Sequence, residues 1–155
     1  MDPYIKDIQR LRDLLELEIL DTQPEEYLND LAKLTSTICN TRVSLISFID
    51  DKRQWYKAND GFAGSEAPIE ETICQYTLVH DDVLEFEDTY KVELLKDNPH
   101  VKAENGVRFY AGINLYSENG NAVGTLCTIS NVPQKLNQSQ KEDVESKDND
   151  DKKKA

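Results

Sequence analysis

The sequence predicts an α+β fold: a central antiparallel sheet of five to six strands flanked by helices. Three observations carry this. Helical spacing occupies the first forty residues, apolar runs and two-residue alternation occupy much of Val43–Ile129, and neighbouring strands are joined by hairpins. Hairpins make the sheet antiparallel and leave the helices on its faces.

Taken in order, Tyr4, Ile8, Leu11 and Leu15 step by four, three and four, so one helix is expected from Pro3 to Leu20 with a narrow apolar stripe. That stripe suits either docking on the domain or a seam between two copies of the chain. Residues 1–20 are therefore set apart as an N-terminal helix with a dimerisation role. Thr22 and Glu25 match a capping box ahead of a second helix, which carries Tyr27, Leu31, Leu34 and Ile38 to Cys39. At Val43 the period changes. Val43–Ile49 is apolar on both faces, as in a strand covered on two sides, and Arg53–Ala58 returns after the turn Asp50-Asp51-Lys52.

A loop containing Gly61 and Gly64 leads to Pro68. Ile69, Ile73, Tyr76 and His80 then suit a short helix opening on Glu70-Glu71, whose charges complement the helix dipole. Leu84–Glu87 alternates as a short strand and Asp88–Leu95 suits another short helix. Val107–Tyr116 and Ala122–Ile129 close the sheet as a hairpin about Glu118-Asn119-Gly120-Asn121. Beyond Pro133 the apolar content falls away. Residues 21–136 are thus the domain, and 137–155 a charged tail expected to be disordered or a frayed helix.

Composition narrows the function. A chain of 155 residues suits one domain. Its net charge of −12 belongs almost wholly to the body, because the last fifteen residues hold five Lys against six Asp or Glu. Such a field disfavours nucleic acid and anionic lipid as partners. No apolar run approaches the ~18 residues of a membrane span. The N-terminus lacks the basic start and apolar stretch of a secretory signal, so a cytoplasmic location is expected. Cys39, Cys74 and Cys127, odd in number and without a CxxC pair, read as reduced thiols.

Few residues point to chemistry. Cys74 reads as a pocket-facing thiol or a small buried hydrophobe, and its neighbours Glu70, Glu71 and Gln75 supply no activating cation. No catalytic residue is assigned. The run His80-Asp81-Asp82 with Glu85, Glu87 and Asp88 reads as a hard-cation site or a solvated turn, and without EF-hand or HExxH spacing no metal site is assigned. The glycines near residues 106–124 match no phosphate-binding motif, while Gly112 and Gly124 sit inside strands, where glycine marks a bulge or a close approach. Arg53 is expected to pair with acids. Arg108, beside Phe109-Tyr110, suits either such a pair or a clamp on a planar anion.

Read in succession, Ile19–Glu25, Val43–Asp50, Arg53–Tyr56, Glu71–Cys74, Asp97–Pro99, Arg108–Gly112 and Gly124–Cys127 resemble a GAF domain of the kind found ahead of bacterial sensor histidine kinases and diguanylate cyclases. The resemblance spans about Leu11 to Leu136. It implies a GAF/PAS-like sheet with a pocket roofed by short helices and loops. It also implies a sensory, signal-transducing module of the two-component kind, which binds an unidentified small molecule or dimerises, biases a histidine kinase or cyclase output domain, and has no catalysis of its own. On that resemblance Trp55, Cys74, Thr77, Phe86, Arg108 and Tyr110 are expected to surround the pocket.

Gln75, where bilin-binding members carry histidine after their cysteine, argues against covalent bilin attachment. The Asn-Lys-Phe…Asp-Glu signature of cyclic-nucleotide-binding members is missing, so the cofactor stays unassigned. One branch of the family reduces free methionine sulfoxide with cysteines around the pocket. Here Cys39 and Cys127 read as core, which leaves that thiol-dependent reductase as the alternative, beside a purely structural dimerisation domain with a collapsed pocket. The helix that carries the signal outward is expected to be reduced to Leu136–Val144, in an excised domain or a stand-alone protein.

Overall fold

A computed structural model gives the conformation of residues 2–154, with side chains described as far as Ser146. Helix α1 (Ile8–Glu16) and helix α2 (Glu26–Cys39) precede strands β1 (Val43–Ile49), β2 (Arg53–Asp60) and β3 (Glu66–Pro68). The single-turn helix α3 (Cys74–Thr77), strand β4 (Leu84–Phe86), the short helix α4 (Pro99–Lys102), strands β5 (Phe109–Tyr116) and β6 (Ala122–Ser130) and helix α5 (Gln138–Lys154) follow. The six strands form one antiparallel sheet in the order β3-β2-β1-β6-β5-β4. First and last strands of the core thus meet at its centre. Gly124 permits that meeting, because a Cβ there would strike the Ser47 carbonyl of β1.

Each sheet face has its own core. On one face α2 presents Leu28, Leu31 and Ala32 to Ile46, Phe48, Trp55 and Leu126, and Leu136 and Val144 complete the packing. Val144 lies in the stretch expected to be a charged tail, so the packed core continues into α5; side chains from residue 147 onward lie outside those described. On the other face Leu45, Ile49, Tyr56, Tyr110 and Cys127 lie beneath the 3₁₀ turn Ile69–Glu71, α3, α4 and the loops between them. Being covered on both faces is why β1, β5 and β6 are buried along almost their whole length.

The helix expected over Pro3–Leu20 is broken. A 3₁₀ turn at Pro3–Lys6 stops at Asp7, which is extended and whose carboxylate accepts from the amides of Gln9 (3.0 Å) and Arg10 (3.1 Å). An aspartate competing for backbone donors starts a helix better than it continues one, so α1 begins after it. The capping box of Thr22 and Glu25 does not form either. Instead Lys57, buried on β2, donates to Thr22 Oγ1 (2.8 Å) and the Gln23 carbonyl (2.6 Å) and pairs with Glu25 (2.9 Å), which holds this segment extended until α2 starts.

The helix expected from Ile69 is likewise interrupted. Thr72 Oγ1 and Gln75 Nε2 both donate to the Ile69 carbonyl (2.8 and 3.1 Å), and Gln75 also donates to that of Thr72 (2.8 Å). Side chains replace the helical ladder, Thr72 is extended, and α3 is a separate turn. Asp88–Leu95 forms two 3₁₀ turns rather than one helix, and β3 and α4 occupy stretches read as loop.

One cation ties the N-terminus to the sheet. Arg10 is 0% exposed and donates to five carbonyls: Ile49 (2.7 Å), Ile5 (2.8 Å), Ala122 (3.2 Å), Tyr4 (3.3 Å) and Asp50 (3.3 Å). These belong to the 3₁₀ turn, the end of β1 and the start of β6. Asp13 anchors α1 to the hairpin beyond, accepting from Ser117 (2.7 Å), Asn121 (2.9 Å) and Asn119 (3.1 Å). Replacing Arg10 by methionine leaves these carbonyls dry and unpaired. It is expected to lower the unfolding free energy by about 3 kcal/mol in urea titration, since bonds from a charged donor contribute roughly 1.5–3 kcal/mol each and are not additive. A loss within the ±0.5 kcal/mol of an ordinary surface change would contradict the assignment.

Candidate functional site

Strand alternation decides which side chains meet under the roof. Ser47 of β1, Gln54 and Tyr56 of β2, Tyr110 and Gly112 of β5, and Thr125 and Cys127 of β6 all face it. The roof is held to this face by polar contacts. Asn114 of β5 donates to the carbonyls of Leu78 (3.3 Å) and His80 (3.0 Å) just past α3, and Asn98 donates to that of Glu71 (3.1 Å).

At the centre lies the Cys74 sulfur. It accepts from Gln54 Nε2 (3.3 Å) and Thr125 Oγ1 (3.3 Å), and the Tyr110 hydroxyl stands 3.1 Å away. That hydroxyl also bonds Thr77 Oγ1 at 2.5 Å, and Gln54 continues to Ser47 Oγ at 2.8 Å. Gly112 makes the Tyr110 position available: the ring lies over it, and a Cβ at 112 would collide with the hydroxyl. Burial alone would raise the Cys74 thiol. Hydrogen bonds from Cys127, Thr125, Tyr110 and Gln54 more than offset this and bring it down to about 7. The Cys127 thiol is held well above its usual range, first by its bond to Cys74 and then by burial. Tyr110 is raised by burial and by the neighbouring sulfurs.

Two spaces adjoin this cluster. The inner cavity, among Gln54, Tyr56, Cys74, Tyr110 and Cys127, measures about 30 Å³, room for about one water. Outside it lies a cleft of about 630 Å³ between Arg42, Gly61–Ala63, His100–Val107 and Ile129–Asn131, within the size range of small-molecule sites. Phe62 and His100 line both spaces. The Phe62 ring packs edge-on against Tyr56 (5.8 Å between centroids) and tilted against His100 (5.8 Å), so it stands in the passage between them. Gly61 (φ +97°) and Gly64 (φ +92°) supply the left-handed turns that bring Phe62 there, and Asn59 fixes the loop by accepting from the Phe62 amide and donating to its carbonyl. Burial lowers the His100 pKa, with the Glu71 charge acting against it.

Of the expected pocket residues, Cys74 and Tyr110 line the inner cavity and Thr77 bonds the Tyr110 hydroxyl above it. Phe86 packs beside Tyr110, 6.1 Å between centroids, without reaching the cavity. Trp55 is on the opposite sheet face, against α2, because Gln54 and Tyr56 take the roofed side of β2. Arg108 is engaged at the edge, paired with Asp88 (3.1 Å) and lying over the Tyr90 ring at 3.7 Å. Arg53 pairs with Asp21 (2.7 Å) and Glu66 (3.3 Å). Cys127, read as core, shares the cavity with Cys74, whereas Cys39 lies in the core of the other face. Gln54, Tyr56, Phe62 and His100 were not singled out by the sequence. Two-residue alternation marks Gln54 and Tyr56 as partners on one face, but nothing local says which face is roofed.

Among the described residues no cluster of three or more His, Cys, Asp or Glu side chains is arranged for a metal, and no helix is long and apolar enough to cross a membrane. No family model matches the chain. A cyclic di-GMP phosphodiesterase of Pseudomonas aeruginosa is 30% identical over 118 residues, which are 76% of this chain; the chain spans only 20% of that relative's length. Among solved structures, the GAF domain of an Acinetobacter phosphoenolpyruvate-protein phosphotransferase superposes with a TM-score of 0.66 at 13% identity, covering 95% of this chain and 92% of that one. A type II free methionine-R-sulfoxide reductase from Thermoplasma acidophilum gives a TM-score of 0.62 at 12% identity, covering 87% and 89%.

The thiolate absorbance of the folded protein is expected to titrate as one thiol per chain near pH 7 and to be lost in Cys74→Ser. Cys39, raised to about 11 by burial and by the charges of Asp143 and Glu85, stays protonated across that range. A folded protein with no thiolate until the ordinary cysteine range of ~8.5 would contradict the donor arrangement.

Proposed function

From the GAF-domain fold that this chain adopts, we propose a sensory or regulatory module that takes up a small ligand on the roofed sheet face and biases an attached output domain, without catalysis of its own. One observation carries this reading: a small, mostly apolar cavity that holds Cys74 and Tyr110 adjoins, across Phe62 and His100, an outer cleft large enough for a metabolite. A ligand that seats in the cleft and displaces Phe62 would move the loop Gly61–Ser65 and, through Tyr56 and His100, the roof. Similarity to one segment of a much longer cyclic di-GMP phosphodiesterase supports an output of the cyclic-dinucleotide kind; a histidine kinase or cyclase output and a cytoplasmic setting belong to the same proposal.

Dimerisation belongs to the same reading. Ile8 (71% exposed) and Leu15 (73%) flank the partly buried Leu11 on the outer side of α1, while Leu14 and Arg10 face inward. A second copy laid along this stripe would bury it. The sulfoxide-reductase alternative requires an amino-acid-sized substrate beside Cys74, where the inner cavity has room for about one water.

A thermal-shift screen of nucleotides, amino acids and bilins tests ligand binding. A true ligand at 100 times its dissociation constant adds about 2.7 kcal/mol of stability, and Phe62→Ala is expected to change that increment. No shift across the library would favour a structural dimerisation domain. Loss of free methionine sulfoxide with a thiol donor, abolished by Cys74→Ser, would replace the sensory reading by the reductase. Ile8→Glu and Leu15→Glu, which touch no core, are expected to turn a dimer into a monomer in sedimentation; an intact dimer would move the interface elsewhere.

A further inference from the structure

We propose that Cys74 and Cys127 form a reactive dithiol that a small hydroperoxide converts to a disulfide, making the roofed sheet face a site of reversible oxidation. The chemistry belongs to the two thiols and stands whether or not an organic ligand occupies the outer cleft.

Geometry places the pair. Thr125 and Cys127 alternate onto the same face of β6, and Thr125 Oγ1 lies 3.3 Å from the Cys74 sulfur. Cys127 shares the cavity wall with Cys74, and both are 2% exposed. Cys39 is walled off by the sheet and has no route to either. Two thiols on one small cavity, one surrounded by donors and the other held protonated, divide the roles that disulfide formation needs: a nucleophile and a resolving thiol.

The donors fit an anionic sulfur. Gln54, Thr125, Tyr110 and Cys127 all aim at Cys74, an arrangement that an inert buried thiol does not require. Among the described residues no carboxylate lines the cavity; the titratable groups facing it beside Cys74 are Tyr56, Tyr110, Cys127 and His100. With about 30 Å³ the cavity admits a molecule little larger than water, which suits hydrogen peroxide and excludes bulky hydroperoxides while Phe62 stays in place.

The step balances. The Cys74 thiolate attacks one peroxide oxygen and the O–O bond breaks; the departing hydroxide takes a proton to become water, leaving a sulfenic acid on Cys74. The Cys127 sulfur then attacks the Cys74 sulfur, the S–O bond breaks, and the hydroxide leaves as a second water with the Cys127 proton. Both thiols together lose two electrons and two protons, and one peroxide is reduced. To reach the bonding distance of roughly 2.05 Å, α3 must shift toward β6. The disulfide sulfur is then neutral and a poor acceptor, so Tyr110 and Gln54 lose their shared partner and the roof is released from the sheet.

The test uses the full chain. Reduced protein is exposed to hydrogen peroxide or cumene hydroperoxide, quenched in acid, alkylated in denaturant and mapped by mass spectrometry. The expected product is a peptide pair joining Cys74 to Cys127, with Cys39 alkylated, formed about tenfold faster or more with hydrogen peroxide than with cumene hydroperoxide. Cys127→Ser is expected to stop at a Cys74 sulfenic acid, which dimedone traps once the oxidised protein is unfolded in denaturant. The wild-type result stands alone should that variant fail to fold. Recovery of all three thiols unoxidised under conditions that oxidise free glutathione, or links that involve Cys39, would overturn the proposal. Equal rates with the two peroxides would overturn the access route.

Discussion

A polar group sealed from water must find its partners in the protein, and on the roofed side of this sheet that requirement converges on one sulfur. Cys74 is held by Gln54 from β2, Thr125 and Cys127 from β6 and Tyr110 from β5, while Thr77 on its own turn bonds Tyr110. Three strands and α3 are fixed relative to one another by this cluster. A buried network fully satisfied is rigid and specific, and one that loses a member leaves the rest unpaired. A change of charge or bonding at Cys74 is therefore felt by the whole roof. Gly112 contributes by having no side chain where the Tyr110 ring must lie.

The rest of the scaffold keeps this face separate from the other. Helices α2 and α5 seal the opposite side with apolar packing, interrupted where Ser44 and Thr128 bond to each other and Ser44 to Ser36 of α2, while Ser47, Asn114 and Thr125 of the central strands face the roof. At the margins two buried cations do the joining. Arg10 gathers carbonyls from the N-terminal turn, β1, the turn after it and β6, and Lys57 gathers the extended segment before α2. In a chain of net charge −12 Arg10 satisfies backbone that would otherwise be dry, and Lys57 divides its bonds between the Gln23 carbonyl, Thr22 and the Glu25 carboxylate. Removing either partner set would loosen the frame on which the roof rests.

Strands, hairpins and the second helix were legible because their period is local: Val43–Ile49 and Ala122–Ile129 are rich in β-branched and other apolar residues with only small polar ones between them. The interruptions were not. Asp7 as a helix start, Lys57 in place of a capping box, and Thr72 with Gln75 splitting the roof all depend on side chains choosing distant or backbone partners, which spacing does not encode. The site was half legible for the same reason. Cys74, Thr77 and Tyr110 were named and do meet, but Trp55 lies one residue out of phase, on the opposite face. Cys127 is core, as read, yet its place beside Cys74 was not legible because a strand covered on both sides gives no sign of which side is roofed. Phe62 and His100 come together only through the loop at Gly61 and the unforeseen α4.

The central claim is that Cys74 sits in a small cavity that Phe62 screens from the outer cleft. Its most direct measurement is the rate at which iodoacetamide modifies Cys74 in the folded protein, read peptide by peptide with Cys39 as internal reference. Phe62→Ala is expected to raise the Cys74 rate by about tenfold or more while leaving Cys39 unchanged, since a lowering of roughly 1.4 kcal/mol in the barrier is tenfold in rate. An unchanged Cys74 rate, or a parallel rise at Cys39 that reports general loosening, would contradict the account.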